Sequence, residues 1–187
     1  MAKIKILKFL LENQENKFTI KKISEALNIN YRTAYENVLL LEQEKLIIIT
    51  KAGNSNLCGL ENSFNEHLFE AEFQRKKELL RNKDFQIIHN RLSDLKFPFI
   101  MLLFGSYVKG TSNKHSDIDL ISIGGDQKEI KSAISLLPDK IHLTQISYEE
   151  FMMMAKSKEF TVVSEVLKKN IILIGIEEYY RLLKNVR

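Results

Sequence analysis

The sequence predicts an α+β protein of two domains joined by a long helix, and three observations carry that expectation. Residues 1–62 hold three segments of helical period followed by two short apolar runs around a polar turn. Residues 63–92 hold a long helical pattern opened by Ser63-Phe64-Asn65-Glu66, a Ser followed three residues later by Glu. Residues 93–187 alternate strand-like apolar runs with helical patterns.

The totals bound the function classes. A chain of 187 residues is long enough for one large domain or two small ones. One cysteine, Cys58, excludes an internal disulfide framework and a cysteine-based zinc site. The N-terminus lacks a sustained apolar h-region, and no apolar run approaches the length of a bilayer span, so the expected location is cytoplasmic, with no membrane partner. Net charge is +4. Nine basic and six acidic residues fall within residues 1–60, so most of the positive excess lies in the first third, as a polyanion partner there would require.

Residues 3–12 read as a helix with Ile4, Leu7, Leu10 and Leu11 on one face. Thr19 is an N-cap for a second helix, with Ile20, Ile23, Ala26 and Leu27 inward. After the Asn28-Ile29-Asn30 turn, Asn30 caps a third helix, Tyr31 to about Glu44, with Ala34, Val38 and Leu41 inward. Its opposite face carries Arg32, Thr33 and Glu36, with Tyr31 and Tyr35 on the flanks. The runs "LIIIT" and "LCGLE" around "KAGNSN" read as a hairpin. Two short helices on a tight turn, then a hairpin, resemble a winged helix-turn-helix. The phrase "FTIKKISEALNINYRTAYENVLLLEQEKLI" is similar to those of bacterial and archaeal regulators. That resemblance implies DNA binding through Asn30, Tyr31, Arg32, Thr33 and Glu36. A helical interaction module is the other reading.

The 63–92 segment carries Phe64, Leu68, Phe69, Phe73, Leu79, Leu80, Ile87, Ile88 and Leu92, with a break near Asn82. It either packs on its own two domains or pairs subunits into a homodimer that presents two winged helices to a symmetric site.

"FPFIMLLF" (97–104) reads as a central strand, ended by Gly105-Ser106. Residues 107–111 begin a short helix, 113–116 a loop, and "DIDLISIG" the next strand. Residues two apart on a strand share a side, so Asp117 and Asp119 project together. Two such carboxylates repel unless a cation lies between them, and a divalent metal is the usual solution. Glycine lets a phosphate approach the backbone, and Ser106 offers a hydroxyl and an N–H. The combination describes a nucleoside triphosphate held by a metal ion. A P-loop is excluded because Thr111 stands where its lysine must be. An EF-hand is excluded because Ile121 and Ser122 occupy its third-ligand and glycine positions.

"GSYVKGTSNKHSDIDL" resembles the Gly-Ser, ten-residue spacer, Asp-x-Asp signature of the nucleotidyltransferase superfamily that includes DNA polymerase β, and most of all its minimal prokaryotic members. Lys109 falls at a basic position of that signature and Gly110 at its glycine. The resemblance covers residues 93–187 and implies an α/β nucleotidyltransferase-like domain with a small mixed sheet. It further implies that Gly105, Ser106 and Lys109 hold the nucleotide phosphates. Asp117 and Asp119 would be the catalytic, metal-binding pair for Mg²⁺ or Mn²⁺, with ATP or another NTP as substrate.

The family usually adds a third carboxylate on a later strand. Aligning "KIHLT" places His142 there, and neutral imidazole is a poor Mg²⁺ ligand, though it suits softer metals. Asp139 has the wrong strand parity, and Glu149 and Glu150 read as the first turn of a helix capped by Ser147. Three readings stay open: an active transferase, a DNA-binding regulator whose transferase domain binds nucleotide without transfer, and an antitoxin-type transferase. The last stays as an alternative because "EVLKKNIILIGIEEYY" resembles the end of many minimal members, some of which pair with helical HEPN ribonuclease toxins and silence them by nucleotide transfer.

Overall fold

The computed structural model describes all residues except 62, 114, 136–139, 158 and 187. The chain divides into two compact units, Met1–Phe73 and Gln74–Arg187.

In the first unit, α1 (Ala2–Glu12) precedes a two-residue strand, β1 (Phe18–Thr19), and then α2 (Ile20–Ala26) and α3 (Tyr31–Gln43). A hairpin follows, β2 (Ile47–Ala52) and β3 (Ser55–Leu60), and β1 joins it in the order β1-β3-β2. The Thr19 and Asn30 caps form, whereas in Ser63-Phe64-Asn65-Glu66 the cap is Asn65 rather than Ser63, its Oδ1 accepting from the His67 N–H at 2.9 Å and the Leu68 N–H at 3.1 Å. Thr19 Oγ1 accepts from the Lys22 N–H at 3.2 Å, and Asn30 Oδ1 accepts from the Arg32 N–H at 2.8 Å, satisfying amide donors that a helix start leaves orphaned. Ile6, Leu7, Leu10, Leu11, Ile23, Ala34, Val38, Leu41 and Cys58 are buried together with Leu46 and Ile47. The inward face of α1 takes Ile6 rather than Ile4, and Ala26 of α2 is exposed while Ser24 is buried. The hairpin turn is tighter than the sequence suggests. Ala52 pairs with Ser55, leaving Gly53 and Asn54 to turn, with Gly53 at φ +58°.

Glu44, just past α3, gathers three partners. Lys3 Nζ donates to it at 2.6 Å, Asn65 Nδ2 at 3.2 Å, and His67 Nδ1 lies 2.9 Å away. Burial raises the Glu44 carboxyl's pKa, but the hydrogen bonds from Lys3 and Asn65 and the charges of His67 and Lys3 outweigh it, for a net lowering.

The unit boundary falls within α4 (Glu66–Leu79). Asn82 caps the next helix, α5 (Lys83–Ser93), through the Asp84 N–H at 2.8 Å, which accounts for the break in the helical pattern. The second unit continues with β4 (Ile100–Phe104), the single turn α6 (Ser106–Lys109), β5 (Ile118–Ile123), α7 (Gln127–Ser135) and β6 (Ile141–Ile146). It ends with α8 (Tyr148–Lys156), α9 (Val162–Lys168), β7 (Ile171–Ile174) and α10 (Ile176–Lys184). The sheet runs β6-β5-β4-β7. β4 is antiparallel to both β5 and β7, while β5 and β6 are parallel, so the sheet is mixed. A parallel pair needs a crossover, and α7 supplies it. All five residues of β4 are buried, as a strand covered on both faces must be. One apolar cluster joins Phe85, Ile88 and Leu92 of α5 to Met101 and Leu103 of β4, Leu120 of β5, and Ile130 and Ile134 of α7. Strand parity puts Asp119, Ile121 and Ile123 on the other face of β5.

Candidate active site

β4 and β5 deliver the site. Phe104 pairs with Asp119, so the chain leaving β4 at Gly105 passes directly over the Asp119 carboxylate. Gly105 has φ +72° and ψ −147°, a backbone region close to glycine-only. A Cβ built there would sit 2.9 Å from Asp119 Cγ, inside the space the carboxylate occupies. Two independent constraints therefore require glycine at 105. Ser106, half-buried, follows immediately and opens α6. The turn is closed by the Lys109 N–H to Gly105 O at 3.1 Å, and the Thr111 N–H donates to Ser106 O at 3.1 Å. Gly110 ends it in the left-handed conformation.

The spacer then folds back. The Asn113 N–H donates to Ser116 Oγ at 2.9 Å and the Ser116 N–H to Asn113 O at 3.0 Å, a reciprocal turn that sets Asp117 at the entrance to β5. Asp117 is exposed and precedes the strand, whereas Asp119 is inside it and about three-quarters buried, its side chain 27% exposed.

The parallel ladder pairs Asp119 with His142. His142 Nδ1 lies 3.4 Å from Asp119 Oδ1, and the imidazole is 69% exposed. The position where a third carboxylate is expected is thus occupied by His142, directly beside Asp119. Asp139 lies outside the described residues. Glu150 is committed elsewhere: its carboxylate accepts from the Ser147 N–H at 2.7 Å in the cap of α8.

Lys109 does not stand alone. Its Nζ pairs with Glu165 Oε1 at 2.5 Å, across 56 positions of sequence. Glu165 sits in the first turn of α9, whose N-terminus is fixed by the Thr161–Ser164 capping pair. Nothing local in the sequence marks Glu165, because its partner Lys109 lies far from it along the chain. α9 is held in turn by buried Asn170, which donates to Val166 O and to Tyr179 Oη and accepts at its backbone carbonyl from Arg75.

The donor set fits a divalent cation of the kind that binds with substrate. Among the described residues no three His, Cys, Asp or Glu side chains form a protein-only cage. The exposed Asp117 and the partly buried Asp119 match instead the pattern in which one or two protein oxygens hold the ion and phosphates and water complete its shell.

In the first unit, Tyr31, Arg32, Thr33, Tyr35 and Glu36 are exposed on α3. Tyr31 and Tyr35 stack at 6.3 Å, Arg32 Nε donates to Glu36 Oε1 at 2.8 Å, and Asn37 Nδ2 donates to Thr33 O. Asn30 uses its side chain as the helix cap.

Fold and site together define a two-part protein, a helix-turn-helix domain followed by a small α/β domain of nucleotidyltransferase type. The chain belongs to the polymerase beta nucleotidyltransferase family, whose model matches residues 86–179. A second model, described as an HTH domain, matches residues 3–59. No curated protein matches the chain significantly. Among solved structures, one described as a "crystal structure of the toxin-antitoxin with AMP-PNP" is 19% identical, with a TM-score of 0.35 over 55% of this chain and 83% of that one. No helix among the described residues is long and apolar enough to cross a membrane.

Proposed function

We propose that the second unit binds a nucleoside triphosphate, ATP being the first to test, with a divalent cation and transfers its nucleoside monophosphate to an acceptor hydroxyl, while the first unit binds DNA. The observation that carries the enzymatic half is the packing of Gly105 against Asp119, with Asp117 at the mouth of the same strand. In this reading Asp117 and Asp119 hold the cation, which supplies neutralisation of phosphate charge. Gly105 lets the triphosphate approach the backbone, and Ser106 offers its N–H and hydroxyl to it. Lys109 exchanges Glu165 for a phosphate oxygen when nucleotide binds. The acceptor hydroxyl releases its proton to solvent as its oxygen bonds to the α-phosphorus, the bond to the β-phosphate oxygen breaks, and pyrophosphate leaves with that electron pair. The chain's contribution is positioning and charge compensation.

His142 favours a second reading, a DNA-binding regulator that holds nucleotide without transferring it, because no described carboxylate pairs with Asp119 on β6. Incubation with α-labelled NTP and candidate acceptors separates the two. Label appearing on an acceptor, and lost in Asp117→Ala, supports transfer; nucleotide retention without label transfer supports the regulator. The sequence resemblance of the 165–180 phrase makes a HEPN-type protein the first acceptor to try.

For the first unit, the exposed Tyr31, Arg32, Thr33 and Glu36 face of α3 supports DNA contact. Arg32→Ala should weaken binding at every sequence tested, and affinity should fall steeply with salt. Salt-insensitive binding would count against the reading. A homodimer built on α4, whose Phe69 and Phe73 are stacked and 41% and 42% exposed, is the narrower proposal, tested by light scattering.

A further inference from the structure

We propose that Asp119 and His142 together form a nitrogen–oxygen chelate for a divalent transition-metal cation, of the manganese-to-zinc series, so that this site selects such an ion over Mg²⁺. The inference rests on reading the Gly105–Asp119 turn as a metal–nucleotide site, and it names the class of metal that reading leaves open.

The pairing is fixed by backbone rather than by side-chain choice. Residues 118–123 and 141–146 run parallel in continuous register, and Asp119 faces His142 across one rung of that ladder. Both side chains therefore leave the same face of the sheet side by side. On its other flank the Asp119 carboxylate meets Gly105, where no side chain fits. The carboxylate is walled on one side by backbone and on the other by imidazole.

The spacing is informative. Nδ1 and Oδ1 are 3.4 Å apart. A charge-assisted N–H···O bond is shorter, about 2.7–2.9 Å. With metal–ligand bonds of about 2.1 Å, two donors on one ion are about 3.0 Å apart in an octahedron and about 3.4 Å in a tetrahedron. The observed separation is thus long for a strong hydrogen bond and falls at the tetrahedral edge of that range. His142 is 69% exposed, so water and phosphate oxygens have room to complete the shell.

The donor chemistry sets the choice of ion. Mg²⁺ is a hard cation that dehydrates reluctantly and takes oxygen ligands. Imidazole adds affinity for first-row transition ions, rising from Mn²⁺ through Co²⁺ in the Irving–Williams order. An aspartate at 142 would give an all-oxygen set suited to Mg²⁺; the histidine moves the preference along that series.

The full chain, stripped of metal by a chelator, is titrated separately with Mg²⁺, Mn²⁺ and Co²⁺ by calorimetry, with visible absorption recorded for Co²⁺. His142→Ala and His142→Asp are carried alongside, and His142 is exposed enough that neither should perturb folding. The expected result is Co²⁺ binding at least about tenfold tighter than Mg²⁺. His142→Ala should lose about tenfold or more of the Co²⁺ affinity with Mg²⁺ changed by less than about twofold. His142→Asp should shrink the Co²⁺ to Mg²⁺ ratio. The same ratio in wild type and His142→Ala, or no Co²⁺ binding at all, overturns the chelate and assigns His142 a hydrogen bond to Asp119 only. A parallel titration with a non-hydrolysable ATP analogue and Mg²⁺ keeps the two ideas apart. Analogue binding with an unchanged metal ratio retires the chelate alone. No analogue binding with any metal retires the nucleotide reading, while the metal-only titration still decides the chelate.

Discussion

Replacing Gly105 by alanine tests the site at its tightest point, and Gly110 provides an internal control. Both glycines have positive φ, +72° and +75°. A Cβ at Gly110 meets nothing within 4 Å, and its ψ of 20° lies in the ordinary left-handed region. Gly110→Ala should therefore cost only the left-handed penalty, about 1–2 kcal/mol. Gly105→Ala carries a conformational cost of about 1–3 kcal/mol, because φ +72° with ψ −147° is close to glycine-only backbone. It must in addition push the Asp119 carboxylate out of the space its new methyl takes. Thermal denaturation should show both variants melting lower, by roughly 4 °C per kcal/mol for a unit of this size. The decisive reading is affinity for a fluorescent ATP analogue with Mn²⁺. Gly105→Ala should lose at least about tenfold, since the carboxylate proposed to hold the metal is displaced, while Gly110→Ala stays within about threefold. Equal losses in the two variants, or wild-type affinity in Gly105→Ala, would refute the claim that Gly105 is there to seat Asp119.

Further expectations concern residues around the two sites. Glu165→Gln should raise nucleotide affinity by about two- to fivefold by releasing Lys109, with a stability change below about 1 kcal/mol, as for a partly exposed pair; a fall in affinity would mean that Glu165 positions Lys109 instead. Glu44 has a lowered carboxyl pKa in the folded state, so its contribution to the first unit is present above the ordinary glutamate value and is lost as pH falls through the folded one. Acid unfolding should accordingly be less steep in Glu44→Gln than in wild type, by about 1 kcal/mol or less across the transition, and identical acid profiles would contradict this. Cys58 is fully buried, and burial with the nearby Glu42 charge pushes its thiol up to about 11, so native protein at pH 8 should resist a thiol reagent and react only on unfolding. Rapid native labelling would show that the first unit opens readily.

What could be read in the sequence was local. Thr19, Asn30 and Ser147 cap helices whose first amides lie two or three residues away, so composition alone reveals them. The exposed face of α3 follows from its period, since Ala34, Val38 and Leu41 face inward. The Gly-Ser to Asp-x-Asp spacing likewise lies within one stretch of chain. Where contacts are non-local, the sequence loses them. The run from Phe97 reads as strand, yet pairing begins only at Ile100, after Phe97 and Phe99 have packed on each other at 5.6 Å. β1 is two residues long and exists because Phe18 and Thr19 find β3. The start of α7 also carries a local signal, Asp126 Oδ1 accepting from the Lys128 and Glu129 N–H groups ahead of Ile130 and Ile134. Glu165 is invisible without the fold that brings it to Lys109. His142 lies between these cases. Alignment places it, but only the parallel register shows that its imidazole stands against Asp119.

In the proposed function Asp119 and its turn hold a metal–nucleotide complex. Equilibrium binding of a non-hydrolysable ATP analogue to wild type and Asp119→Asn, with and without divalent cation, tests it most directly. Wild type should bind saturably and only with the metal present, and Asp119→Asn should lose that binding. Binding that needs no metal, or that survives Asp119→Asn unchanged, would contradict the proposed function.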